Sequence, residues 1–350
     1  MTFKKLMRWI TCVSVLCLPA RAAIGPGAGS YSINSLFDSA DFVCWGRIAS
    51  IADGSVRYGV NGAATLMRSI RFESARCYKG DVTQTDEIQS ETHVPPVIPG
   101  DLSAKSGDTG LLFLKRDNGG YLRFADRFWG WLRDASLPLL APETRSGLKQ
   151  LEADLLLNIE RAADSEMRVR DLRVLHGFDA LSAEATRSVR AFAKDSEPRV
   201  ALGAFSILAK AGRPEDLTSL CQYVVGGGSQ VASASQEHSF GALETIRNER
   251  ALPALECLAR SAFRPLRLSA MEAIRGIGSR TSVPELVRAL DDPDPLMQFL
   301  AVTALAEITH RSGEPAPLMP EFLKEPARFQ NSWRRWWNET GHVLYKERGQ

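Results

Sequence analysis

Two textures divide the chain. From Tyr31 to about Asp134 apolar and polar residues tend to alternate, the period of strands; from Glu143 onward apolar residues recur every three to four positions, the period of helices. Asp41 to Ile51 reads as a helix end followed by a strand through Phe42, Val43, Cys44 and Trp45. Ala64 to Tyr78 is a second strand, with Ile70 and Phe72 on one face. Ala75 and Cys77 fall on the opposite parity, which predicts a bulge near Ser74. Glu87 to Val94 is a weaker strand stopped by Pro95-Pro96. Leu111–Leu114 and Tyr121–Phe124 flank Asp117-Asn118-Gly119-Gly120, a strong hairpin signal. Together these predict a small, mostly β unit.

The helical part opens with Leu148, Leu151, Leu155, Leu156 and Ile159 on one stripe. An internal repeat follows and is seen by aligning Ala204, Ala242, Ala273 and Ala304, spaced by 38, 31 and 31 residues. Ala201, Ser239, Ala270 and Ala301 stand three residues before these alanines, and Phe205, Leu243, Ile274 and Leu305 one after. Leu208, Ile246, Ile277 and Ile308 stand four after, and Leu217, Leu255 and Leu286 thirteen after the first three. Small residues at i and i+3 let a helix approach its neighbour closely, and the bulky positions fill the core beside them. The leucine at +13 belongs to a second, antiparallel helix, and each pair buries its apolar face only by stacking on the next. The long step contains Gly226-Gly227-Gly228-Ser229, a loop insertion.

The first residues set the expected compartment. Lys4, Lys5 and Arg8 precede a short apolar core, Trp9 to Leu18, then Pro19 and Ala20-Arg21-Ala22, the order of parts in a secretory signal peptide. Cleavage after Ala22 would remove four basic residues and no acid, leaving 39 basic and 41 acidic side chains, a net charge near −2. No domain-wide basic field remains, which argues against a nucleic-acid partner. No apolar run is long enough for a transmembrane helix. Four cysteines remain after cleavage: Cys44, Cys77, Cys221 and Cys257. An oxidising compartment makes Cys44–Cys77 and Cys221–Cys257 the natural disulfides, while four buried free thiols fit the sequence nearly as well.

The segments from Pro198, Pro265 and Pro295 resemble HEAT repeats of the short bacterial type: a Pro, an Ala-rich helix, then a Leu-rich helix such as Val283 to Leu290. The resemblance covers about 165 to 310, and implies an α-solenoid that binds proteins. Ala40 to Ile48, Arg71-Phe72 through Cys77-Tyr78-Lys79-Gly80, and Gly107 with Leu111–Leu114 resemble strands of netrin-like domains, the fold shared with tissue inhibitors of metalloproteinases. That implies an OB-type β-barrel. Those inhibitors grip a catalytic zinc with an N-terminal cysteine; here no cysteine lies between Ala23 and Cys44, so that mechanism is not supported.

Catalytic signatures are missing from the sequence. The histidines His93, His176, His238, His310 and His342 are not at metal-ligand spacing, and there is no Cys-x-x-Cys or Gly-x-Ser-x-Gly. Gly226 to Gly228 lacks the Lys-Ser/Thr of a phosphate loop. Asp291, Asp292 and Asp294 fit helix-capping turns better than a calcium site. Phe128, Trp129 and Trp131 close the β unit. Phe329, Trp333, Trp336 and Trp337 share one helical face, which fits a cap on the last repeat and, alternatively, an exposed binding patch. Asn338-Glu339-Thr340 forms a glycosylation sequon, expected to be idle.

The expected organisation is an α+β multidomain chain: signal peptide 1–22, flexible lead-in 23–30, netrin-like β-barrel 31–135, HEAT-type α-solenoid 143–310 and Trp-rich cap 311–350. The expected function is non-enzymatic, cofactor-free and metal-free binding of a protein or peptide partner by an exported protein. An envelope enzyme with its site in the β unit and a netrin-like protease inhibitor are the alternatives.

Overall fold

The computed structural model describes residues 32–58, 64–82, 86–94, 104–126, 130–134, 139–143, 147–227, 231, 234, 238–311 and 315–345. The signal segment, the lead-in, Pro95-Pro96 and the pair Phe128-Trp129 lie outside them. The chain divides into two compact units, one ending at Ala185 and the other beginning at Thr186.

In the first unit a short helix, α1 (Ile33–Ser39), leads into β1 (Phe42–Tyr58), β2 (Ala64–Lys79), β3 (Glu87–Val94), β4 (Thr109–Arg116), β5 (Leu122–Phe124) and β6 (Trp131–Asp134). Strands β1 and β2 pair antiparallel along most of their length, and β2 pairs antiparallel with β3. β3 meets β5 in parallel through a single rung, Ile88 opposite Leu122. β5 pairs with β4, and β4 returns to the first part of β1, Phe42–Arg47. The ring β1-β2-β3-β5-β4-β1 is closed, and β6 is added outside it on β4. This is the small barrel that the sequence resemblance implied.

Its interior is filled by side chains such as Cys44, Ile48, Ile70, Phe72, Ile88 and Leu112. Strict alternation fails where the barrel is covered on both sides. Leu111 to Leu114 are all buried, as are Val43 to Trp45, because α1 packs on β4, and the helices α2 (Leu148–Arg161) and α3 (Ser165–His176) pack on β2 and β6. The parity break in β2 is a bulge. Trp45 faces Arg76 while Gly46 faces Ser74, so Ala75 is the extra residue. A side chain at Gly46 would collide with the carbonyl of Glu73 and the ring of Phe72, so glycine is required where the strands close in. Cys44 lies directly opposite Cys77 and is disulfide-bonded to it, with the Cα atoms 4.0 Å apart.

A buried carboxylate ties helix to barrel within this unit. Asp154 on α2 is fully buried and accepts from Arg76 Nη1 at 2.9 Å, Tyr78 Oη at 2.7 Å, the Ala141 amide at 2.9 Å and Gln150 Nε2 at 3.1 Å. Asn158, one turn on, binds both backbone groups of Leu139.

α4 (Ala183–Phe192) runs across the division between the units. The second unit continues with α5 (Pro198–Ala211), α6 (Pro214–Gly226), α7 (Leu252–Leu258), α8 (Arg264–Ile277), α9 (Val283–Ala289), α10 (Pro295–Thr309), α11 (Met319–Lys324), α12 (Pro326–Trp336) and α13 (His342–Leu344). Helices α5, α8 and α10 start with Pro in the first turn, where the missing amide costs nothing, and they end on the left-handed residues Gly212, Gly278 and His310. Ala201, Ala204, Ala270, Ala273, Ala301 and Ala304 are all fully buried, and Leu217, Leu255 and Leu286 come from the partner helices and are buried too.

Two details differ from the sequence reading. The stretch around Ala242 is a 3₁₀ turn over Gly241–Thr245, and Ser239 before it is exposed. Gly241 weakens a helix, and Arg247 takes up the carbonyls of Glu244 and Ile246, yet Leu243 and Ile246 still reach the core. The left-handed caps also set a different register. Gly212, Gly278 and His310 follow Ala204, Ala270 and Ala301 by 8, 8 and 9 residues, so Ala204 matches Ala270 rather than Ala273.

Candidate functional site

Successive turns of the solenoid are joined by arginine–carboxylate pairs. Arg190 reaches Asp216 at 2.7 Å, Arg260 reaches Glu285 at 2.6 Å, and Arg267 reaches Asp292 at 3.1 Å. Arg264 pairs with Asp294 at 2.6 Å and Arg334 with Asp291 at 2.5 Å. All three aspartates considered for calcium are thus held by arginines. Asp294 also caps α10 by accepting from the Leu296 amide, and Asp292 accepts from the Asp294 amide in the turn before it. Among the described residues no cluster of His, Cys, Asp and Glu could hold a metal ion.

Between the turns that follow α7 and α9 lies an open groove of about 380 Å³. Arg260, Ser261 and Ala262 line one side, and Arg288, Asp291 and Pro293 the other. Behind the lining arginines, the buried Glu285 accepts from both Arg260 and Arg288. Burial holds the Arg288 guanidinium below its ordinary pKa, and the neighbouring Arg260 adds to the effect. Two half-exposed guanidinium groups share one buried carboxylate, which leaves part of each guanidinium facing solvent.

The aromatic residues singled out in the sequence come together at the end of the second unit. Trp333 is 1% exposed, and its ring meets Trp336 edge-on at 5.3 Å. Trp336 also meets Trp337 at 6.3 Å and Tyr345 at 5.8 Å. Phe322 links Phe299 on α10 to Phe329 on α12, at 5.7 and 6.0 Å. Arg311 lies over Trp333 and Arg280 over Tyr345. Trp336 and Trp337 remain half-buried, and Leu318, Leu323, Val343 and Leu344 nearby in sequence are exposed. Cys221 on α6 is disulfide-bonded to Cys257 on α7, with Cα atoms 6.1 Å apart.

Acids shifted from their ordinary range occur on the barrel. The Ser69 hydroxyl and then Arg71 hold the Glu87 carboxyl below the usual value, and Arg123 with two backbone amides does the same for Asp117. Both are surface carboxylates kept ionised by donors, the reverse of a poised general acid. The Asp154 node was not anticipated, because nothing in a single sequence pairs a helical Asp with an Arg and a Tyr some 76 residues earlier.

Residues 251–333 match the family model of HEAT repeats, which spans α7 to α12. Comparison with curated proteins gives no match. Among solved structures the chain is similar to the complex of CpcE and CpcF of phycocyanin lyase from Nostoc sp. PCC7120. The identity is 19%, over 50% of this chain and 71% of that one, with a TM-score of 0.36, too loose a superposition to carry an argument. Family match and architecture agree on the class: an α+β chain with a closed five-stranded barrel followed by HEAT repeats. No described helix is long and apolar enough to cross a membrane.

Proposed function

We propose that this chain is an exported scaffold without catalysis of its own, which holds a protein or peptide partner through its solenoid, its barrel or both. The observation that carries this reading is the stack of HEAT helix pairs, whose sequence is spent on packing each pair against the next while the turns and outer faces stay open. The groove between the turns after α7 and α9 is the contact surface we favour on the solenoid. Export is supported by the n-region, apolar core and Ala20-Arg21-Ala22, and disulfides on both sides of the unit boundary are compatible with it.

A photo-crosslinking residue at the exposed Ala262 or Pro293 tests the binding surface without breaking an ion pair. In envelope extract it should give one discrete protein adduct at both positions. Absence of an adduct at both overturns the solenoid reading. Mass spectrometry of the fractionated protein should find a chain beginning at Ala23 in the envelope fraction, and an intact Met1 in the cytosol would sink the export reading.

A further inference from the structure

We infer that the outer surface of the barrel at the β3–β5 seam is a saccharide-binding site, separate from any surface the solenoid offers. The barrel closes there through one rung, Ile88 opposite Leu122, with both side chains buried in the core. Alternation therefore turns their chain neighbours outward, Glu87 and Gln89 on β3 and Tyr121 before β5. Because the strands diverge on either side of that rung, a groove of about 240 Å³ opens between them, lined by Asp86, Glu87, Gln89, Arg116, Gly120 and Tyr121.

The groove mixes polar and apolar surface, and its lining carries two carboxylates against one guanidinium, held in place by hydrogen bonds. Arg116 donates to the Gly120 carbonyl at 2.7 Å, reaches Asp86 at 3.4 Å and lies over the Phe42 ring. Glu87 accepts from Ser69 at 2.5 Å and from Arg71 at 3.1 Å, and Gln89 donates to Ser69 at 3.4 Å. The Tyr121 backbone is held on both sides, its amide by Asp117 Oδ1 and its carbonyl by the Asp117 amide, both at 2.9 Å. Its side chain, in contrast, stands in solvent, 57% exposed.

Locked carboxylates, a guanidinium and an amide present donors and acceptors side by side, which suits the vicinal hydroxyls of a sugar. An exposed aromatic ring beside them supplies an apolar platform for the C–H face of a pyranose. Asp86 and Glu87 repel phosphates, which disfavours nucleic acid. A neutral saccharide is the chemistry that uses every side of the groove.

Saturation-transfer NMR on the full chain with cellobiose, maltose and N,N′-diacetylchitobiose tests this. At least one should show transfer to its ring protons, with a Kd on the order of 1 mM. Tyr121→Ala should weaken that binding about tenfold or more, and Tyr121→Trp should retain it, with the melting temperature unchanged in both. The proposal is overturned if none of the three sugars receives transfer, or if Tyr121→Ala binds as well as the parent. It is equally overturned if an oligonucleotide, and no sugar, binds in a Tyr121-dependent way.

Discussion

At the scale of single residues, Asp154 and Tyr78 set the strongest expectation. The carboxylate has no solvent exposure and collects an arginine, a phenol, an amide and a backbone N–H, so its burial is offset by partners on all sides. Burial, and next the charge of Asp154, push the Tyr78 hydroxyl far above its ordinary value. The protonated phenol is thus favoured in the folded state. Its contribution to stability is fully present below the unfolded pKa of about 10, and is lost as pH rises beyond it, at about 1.4 kcal/mol per pH unit. Tyr78→Phe removes that proton from the balance. Denaturant titrations from pH 9 to 11 should show the parent losing stability faster than the variant, and parallel losses would refute the linkage. His310 is a second case. Among the described residues it is the non-glycine residue in the left-handed region, at φ 49°, where Gly212 and Gly278 occupy the equivalent caps. His310→Gly should relieve about 1 kcal/mol of strain and raise the melting temperature by about 2–4 °C.

At the scale of elements, legibility followed periodicity. The β2 bulge could be placed to within a residue, because Ile70, Phe72, Ala75 and Cys77 cannot share a regular face. The burial of Trp45 and of all of Leu111–Leu114 could not, since alternation describes a sheet with one wet face and this barrel is helix-covered on the other. The repeat was visible, but its register slipped by one turn at the first repeat, that of Ala204. Paired alanines at i and i+3 look alike after a three-residue shift, and only the caps break the tie. The 3₁₀ turn at Gly241–Thr245 escaped detection because Leu243 and Ile246 keep their apolar spacing. The Cys221–Cys257 bridge lies at this irregular pair and joins α6 directly to α7 across 36 residues. Closing a loop of that length is worth roughly 3–4 kcal/mol. Cys221→Ser with Cys257→Ser should therefore lower the helical transition while leaving the barrel's amide protection intact; an unchanged transition would show that the α6–α7 packing suffices alone.

At the scale of the whole molecule, two ways of completing a core operate in one chain. The barrel completes itself by closure, with β4 returning to β1, so no edge of that ring needs a partner. A solenoid cannot close; its last pair leaves an apolar side that something must cover. Sequence revealed that need and the aromatic face of α12, but not the folding back of Tyr345 onto Trp336, nor the stacking of Arg280 on Tyr345, which depend on contacts some 9 and 65 residues apart. The candidate sugar site was equally hidden, because it depends on which residues flank the single rung between β3 and β5. We propose that the α12 face is the end cap. Trp333, fully buried against Trp336 and beneath Arg311, is its centre. Trp333→Ala should cost about 3–5 kcal/mol and lower the helical melting transition by roughly 10 °C, with barrel amide exchange unaffected. If instead the variant melts like the parent and loses the partner captured at Ala262, the aromatic face is a binding patch and the cap reading fails.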